Sequence, residues 1–171
     1  MNFKYAASGL LASTLVLASA SALAVEPVAR GFYAGAMAGA TRFDDDGLFG
    51  NVSYDDRDWG YGAFGGYKIL KYLAVEARLS DFGFDTTAYS GHVIGIIPFA
   101  TSGWEIFGQL GIGSADLDGY ETKTVGSAGF GARFYPTSHL GFSVQTDAYV
   151  FEEHNFNPSF VTTQLAVQYL F

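Results

Sequence analysis

The 171-residue sequence contains no cysteine, few basic residues and almost no long apolar runs, and each shortage narrows what the chain can be. Without cysteine the protein has neither disulfides nor thiolate metal sites, so its fold must close by packing and hydrogen bonding. Nine Lys and Arg residues stand against 17 Asp and Glu residues, which argues against nucleic acid as a partner. Beyond the N-terminal segment no apolar run reaches the roughly 20 residues of a spanning helix, which excludes helical membrane spans.

The one long apolar run lies near the N-terminus. A basic start precedes the Ala- and Leu-rich run Leu10–Leu23, and Ala22 and Ala24 supply the small residues of a secretory cleavage site. This pattern predicts a signal peptide, residues 1–24, that is cut between Ala24 and Val25. A retained membrane anchor is the alternative, and it is disfavoured because the run is shorter than a spanning helix requires.

Residues 25–171 are predicted to form one domain, with eight basic and 17 acidic residues and therefore a formal net charge of −9. In the final segment, Val161–Phe171, apolar and mostly polar residues alternate, which is the period of a β-strand with one apolar face. Eight such segments can be counted, and the connections between them are alternately very short and longer. The predicted strands are 31–43, 59–70, 72–82, 92–100, 104–115, 125–135, 140–151 and 161–171.

This organisation predicts an all-β fold, an eight-stranded antiparallel transmembrane up-and-down β-barrel whose apolar side faces lipid. Short turns would face the periplasm and longer loops the exterior. A soluble exported barrel with an internal ligand is the alternative. Aromatic residues near both ends of the strands predict two interfacial belts. The belt at the turn end would contain Tyr67, Phe99, Trp104, Phe134, Tyr169 and Phe171, and the belt at the loop end Phe43, Trp59, Tyr61, Phe82 and Phe84.

Four parts of the chain resemble the OmpA/OmpX-type family of eight-stranded outer-membrane β-barrels: Gly31–Ala40, Tyr61–Ala77, Gly126–Tyr135 and the terminal strand. The resemblance covers essentially the whole chain after the predicted signal peptide. It implies an integral protein of the Gram-negative outer membrane that contacts outer-membrane lipids and lipopolysaccharide. It also implies a monomer whose biogenesis uses periplasmic chaperones and the barrel-assembly machinery.

The last strand also resembles the assembly signal of such barrels. The matching residues are the polar Gln164, the aromatic Tyr169 and the terminal Phe171, whereas Ala166 stands where the pattern usually has glycine. The resemblance therefore implies that deleting Phe171 impairs membrane insertion more than it harms a barrel that has already folded.

Strand parity assigns five charged residues to the predicted inner face: Glu76, Arg78, Glu105, Arg133 and Asp147. Pairing of the fifth and sixth strands brings Glu105 near Arg133 at the turn end. Buried charges must be paired or hydrated, and an eight-stranded barrel is just wide enough for side chains to fill. These residues predict a structural network that plugs the lumen, with a small diffusion pore as the alternative.

Few residues could carry catalysis or bind a metal. The histidines are His92, His139 and His154. Some eight-stranded barrels deacylate lipid A with a His-x-Ser pair near the C-terminus, but His154 lacks that serine and Ser159 is the nearest hydroxyl. The acidic segment Asp44–Asp58 does not have the ligand spacing of an EF-hand loop. We therefore expect a non-enzymatic protein with no cofactor and no metal, in a structural or surface-contact role, and a lipid A-modifying enzyme is the less favoured alternative.

Overall fold

Eight antiparallel strands, paired in chain order, close into one barrel. The computed structural model describes residues 29–44, 57–83, 86–99, 102–117, 122–151 and 159–171, and the predicted signal peptide lies outside these ranges. Among the described residues, no helix is long and apolar enough to cross a membrane. The strands are β1 Gly31–Asp44, β2 Arg57–Leu70, β3 Leu73–Asp81, β4 Thr86–Phe99, β5 Trp104–Leu117, β6 Lys123–Phe134, β7 Leu140–Phe151 and β8 Ser159–Leu170.

The predicted fold class is confirmed, and the largest difference from the predicted strands lies in β4. This strand begins at Thr86 and not at His92, so the connection from β3 is short. Backbone hydrogen bonds between Phe82 and Thr86 and from Thr86 to Gly83 close a tight turn, in which Gly83 has a φ of 71°. The hydroxyl residues that follow suggested a loop, but Thr86 and Ala88 are buried and alternate with more exposed neighbours, as strand residues do.

The stagger between strands decides which inward side chains meet. Following register partners once around the barrel from Gly31 leads back to β1 at Thr41, ten residues farther along. This stagger tilts the strands by roughly 40° to the barrel axis. Inward side chains therefore meet partners from strands that are distant in sequence, and an interior of this size fills with side chains.

The two faces of each strand follow the predicted alternation. In β3, Ala74, Glu76, Arg78 and Ser80 are buried and the residues between them are exposed. In β1, four alanines point outward (Ala34, Ala36, Ala38 and Ala40) and alternate with inward residues such as Tyr33 and Met37. The outer face carries large exposed apolar side chains on every strand from β2 to β8. This is the surface that a lipid-facing barrel requires.

Aromatic pairs lie on the outer face at the turn end. The rings of Trp104 and Phe134 lie 4.9 Å apart, and those of Phe32 and Tyr67 lie 4.7 Å apart. At the loop end Trp59 and Tyr61 are exposed as predicted. The placement of Phe82 in that belt was wrong, because strand parity turns its side chain inward, where it is fully buried. The side chains of Phe43 and Phe84 lie outside the described residues.

Candidate functional site

The lumen contains the charged residues that the sequence assigned to the inner face. Glu76 and Arg78 come from β3, Glu105 from β5, Arg133 from β6 and Asp147 from β7, and each is at most 5% exposed. Lys68 of β2 joins them and is 2% exposed. These six residues, here named the lumenal charges, comprise three cations and three anions, so their formal charges cancel.

A first group of contacts centres on Arg78 in the middle of the barrel. Its Nε donates a hydrogen bond to Glu76 Oε1, and its Nη1 lies 3.2 Å from Asp147 Oδ2. Its Nη2 donates to Gln109 Oε1 at 2.6 Å. The Gln109 amide in turn donates to Asp147, and Gln145 Nε2 donates to the other oxygen of that carboxylate at 3.1 Å. One guanidinium therefore ties together β3, β5 and β7.

A second group lies nearer the turn end and centres on Glu105. Lys68 Nζ is 2.6 Å from Glu105 Oε1, and Arg133 Nη1 is 3.8 Å from Glu105 Oε2. The Arg133 guanidinium also sits 4.8 Å from the centre of the Phe107 ring, a distance that allows a cation–π contact. The Tyr135 hydroxyl accepts hydrogen bonds from Arg133 at 3.5 Å and from Gln168 at 2.9 Å. The predicted proximity of Glu105 and Arg133 is therefore observed, but the shorter contact of Glu105 is with Lys68.

Tyr33 of β1 connects the two groups. Its hydroxyl donates to Glu76 Oε2 at 2.9 Å, and its ring centre lies 6.0 Å from the Arg133 guanidinium carbon. The contacts therefore run from Lys68 to Asp147 through a single continuous set of side chains. Removing one member of a buried ion pair leaves an uncompensated charge, so each member constrains the others.

Sequence reasoning missed Lys68 and Tyr33 as members of this network. Lys68 is four residues from the inward Phe64, so the two-residue period of β2 could have predicted that Lys68 also points inward. The register shifts between Lys68 and Leu70, next to the tight turn into β3, and this irregularity hid the parity at the strand end. Tyr33 could not have been found from parity alone, because its contact with Glu76 depends on the stagger of β1, β2 and β3.

The histidines do not form a catalytic group in the described residues. His92 Nε2 lies 2.8 Å from Ser90 Oγ, but its Nδ1 has no hydrogen-bond partner in the protein, so no carboxylate orients the ring. His139 Nδ1 lies 2.7 Å from the carbonyl oxygen of Leu170, and its ring stacks on Tyr169. His154 lies outside the described residues. Within the described ranges, no three His, Asp or Glu side chains are grouped as metal ligands would be.

The residues of the predicted assembly signal lie on both faces of β8. Gln164 is buried in the lumen and accepts a hydrogen bond from Gln145 at 3.5 Å. Tyr169 and Phe171 point outward, with ring centres 5.3 Å apart. Their role in assembly stays a prediction. The predicted cleavage residues Ala22, Ala24 and Val25 lie outside the described residues.

Comparison with known proteins identifies one matching family model. The model of the outer membrane protein beta-barrel domain matches residues 9–171, nearly the whole chain. No curated protein matches the sequence.

Solved structures share the fold at low sequence identity. Neisserial surface protein A has a TM-score of 0.63 and 17% identity, over 84% of this chain and 99% of that one. The N-terminal β-barrel domain of Pseudomonas aeruginosa OprF has a TM-score of 0.60 and 14% identity, over 83% and 99%. Ail of Yersinia pestis, in complex with the heparin analogue sucrose octasulfate, has a TM-score of 0.57 and 15% identity, over 84% and 100%.

Proposed function

Because the chain belongs to the outer membrane protein beta-barrel family and is an integral outer-membrane protein, we propose that it is a non-enzymatic envelope protein with a closed lumen. Its role is structural, or it presents the loop end as a surface for contact. In this role the protein neither catalyses a reaction nor conducts solutes through its interior.

The observation that carries the proposal is the network of lumenal charges. Arg78 and Glu105 each bridge strands on different sides of the interior, and the six charges are at least 95% buried. A pore would need these side chains to leave a continuous aqueous path, whereas here each salt-bridged group is fixed by a partner of opposite charge. A neutral, cross-linked interior of this kind closes an eight-stranded barrel.

Among the described histidines, the surroundings of His92 do not suit a general base. A general base must be held in one tautomer by a third group, and His92 has no such partner at Nδ1. His92 is also only 3% exposed, so a substrate in the membrane or in the external medium does not reach it.

The charge of the loop end indicates the kind of surface partner. Residues 42–58, 81–85, 116–123 and 152–158 include 13 acidic and three basic residues, which gives this end a formal charge of −10. Ail is described in complex with a heparin analogue, but here a polyanion would be repelled. The partner we propose is a cationic surface, or lipopolysaccharide phosphate bridged by divalent cations. Chelation of divalent cations is then expected to release bound lipopolysaccharide, and unchanged retention would contradict the bridging.

Conductance in planar lipid bilayers tests the closed lumen. The refolded protein is expected to carry little current, and Arg133→Ala is expected to raise the open probability because it removes a charge that fills the turn end. Arg30→Ala is the matched control, since it removes an exposed arginine outside the barrel wall. A steady current through the unmodified protein would overturn the proposal and identify a small diffusion pore.

A further inference from the structure

Glycines on the outer face of the barrel differ from those on the inner face. A Cβ atom at the inward Gly131 would lie 2.6 Å from the Phe107 ring, and one at Gly35 would lie 2.5 Å from the Phe64 ring. These positions have no room for a side chain. Outward glycines have that room: the nearest atom to a Cβ would be 3.8 Å away or farther, or there would be none within 4 Å. They are Gly65, Gly91, Gly95, Gly108 and Gly126.

Neither sterics nor backbone conformation explains these outward glycines. Among the described glycines only Gly83 and Gly103 have a positive φ, and both lie in turns. Glycine weakens a strand because its chain entropy is high and it has no side chain to pack. A Val at the same positions would favour the strand, and its Cβ atom would have room there. What the outward glycines create is therefore a set of hollows in an otherwise apolar surface.

The first hollow lies over β4 to β7. Gly95 and Gly108 are direct register partners and form its floor. The exposed ring of Phe130 stands beside them, and Ile97 and Ile106 line the wall toward the turn end. The hollow has a volume of about 520 Å³. An adjoining hollow over the same two glycines extends toward the loop end as far as Leu110 and has a volume of about 620 Å³.

A third hollow, on β1 to β5, shares Val93 with the second hollow and repeats this construction. Gly65 and Gly91 form its floor, and Val75 and Ile112 belong to its wall, with a volume of about 690 Å³. At its turn-end rim stands the aromatic pair Phe32–Tyr67, just as the pair Trp104–Phe134 stands on the turn-end side of the first hollow. The same combination of glycine floor, aliphatic wall and aromatic rim thus occurs at two places on the outer face.

The position of the hollows in the membrane follows from the strand geometry. Trp104, at the start of β5, marks the interface at the turn end, and Gly108 is four residues farther along the strand. At about 3.3 Å per residue along a tilted strand, this is about 10 Å into the hydrocarbon region. The first hollow therefore lies at the depth of the acyl chains in the leaflet nearest the short turns.

We propose that these hollows are acyl-chain sites, each of which holds one chain of a phospholipid from the leaflet at the turn end. The walls are apolar and continuous with the lipid-facing surface, so an acyl chain enters without losing hydrogen bonds. A chain seated over Gly95 and Gly108 touches the backbone below and Phe130 beside it, and gains contacts that a convex surface cannot offer. The aromatic pair at the rim lies at the level of the headgroup and the ester bonds, where Trp and Tyr are favoured.

Photo-crosslinking tests this proposal with the refolded full barrel in phosphatidylcholine vesicles, using a phosphatidylcholine that carries a diazirine on one acyl chain. Labelling mapped by mass spectrometry is expected to concentrate around Gly108 in the first hollow and around Gly65 and Gly91 in the third hollow. Gly108→Leu places a Cβ atom 3.9 Å from its nearest neighbour and a side chain in the first hollow, so labelling there is expected to fall by about threefold or more because the acyl chain is displaced.

Gly126→Leu is the matched control, since Gly126 is an outward glycine with open space that lies outside the hollows. It is expected to leave the labelling around Gly108 unchanged, and heat-modifiable migration on gels shows that each variant has folded. Uniform labelling of the outer face, or equal labelling in Gly108→Leu and the unmodified protein, would overturn the proposal. An absence of lipid adducts around Gly108 would also overturn it, because another occupant, such as a second copy of the chain, would then keep the acyl chain out of the hollow.

Discussion

The two ends of the lumen are filled by different chemistry. Toward the turn end, Lys68, Glu105 and Arg133 interlock with Tyr33 and Tyr135. Toward the loop end a small apolar cluster, which includes Phe82 and Tyr149 with ring centres 4.7 Å apart, lies among hydroxyl side chains. Four of those hydroxyls have no hydrogen-bond partner in the protein: Thr41, Ser80, Ser127 and Thr162.

This contrast indicates which end of the lumen contributes more to the stability of the closed barrel. Charges in a low-dielectric interior fix the geometry of their partners, because each depends on the others for compensation. Apolar packing and unpaired hydroxyls impose much weaker directional constraints. We therefore expect substitutions at the turn end to cost far more stability than substitutions of hydroxyls at the loop end.

The largest effect is expected for Glu105→Ala. The change leaves the cations of Lys68 and Arg133 buried side by side, and the free energy of unfolding is expected to fall by about 3–5 kcal/mol. Urea unfolding of the barrel in lipid vesicles measures the change.

A second variant separates charge from packing at the same place. Lys68→Met combined with Glu105→Gln removes the closer of the two ion pairs of Glu105 but keeps the volume, and should recover much of the loss seen in Glu105→Ala. If Glu105→Ala alone cost less than about 1 kcal/mol, the turn end would behave like a solvated surface and the contrast would disappear.

The sequence predicted this fold well because parity is a local property. Alternation along β3 and β7 shows which side chains point inward, and hairpin pairing brings Glu105 opposite Arg133 without knowledge of the rest of the barrel. Where the local pattern is disturbed, the prediction failed: at Lys68 beside a register shift, and at the hydroxyl-rich start of β4.

Contacts that depend on closure of the barrel could not be predicted in the same way. The hydrogen bond from Tyr33 to Glu76 and the ion pair between Arg78 and Asp147 each join strands that are not neighbours. They exist because of the ten-residue stagger, which is set by all eight registers together. Alternation fixes only the direction of a side chain, and the height at which it meets a partner comes from the tertiary structure.

An intermediate effect is expected for Tyr33→Phe, which tests the link between the two charge groups. The ring remains beside Arg133, but Glu76 loses a hydrogen bond to one carboxylate oxygen, so the expected cost is about 1.5–3 kcal/mol. Urea unfolding measures the cost. A double-mutant cycle with Glu76→Gln should show coupling between the two side chains, and additive effects would indicate that Tyr33 does not join the groups.

The smallest effect is expected for Thr162→Val at the loop end. Thr162 is fully buried, and its Oγ1 has no partner in the protein, although it lies between the register partners Thr41 and Asp147. Valine keeps the shape of the side chain, so the free energy of unfolding is expected to stay the same or to rise by up to about 1 kcal/mol, because an unsatisfied hydroxyl is removed. Urea unfolding measures the change. The direct comparison is with the free energy of unfolding of Tyr33→Phe, which also removes one hydroxyl. A loss as large as that of Tyr33→Phe would mean that an ordered water holds the Thr162 hydroxyl, and the loop end would then be as strongly specified as the turn end.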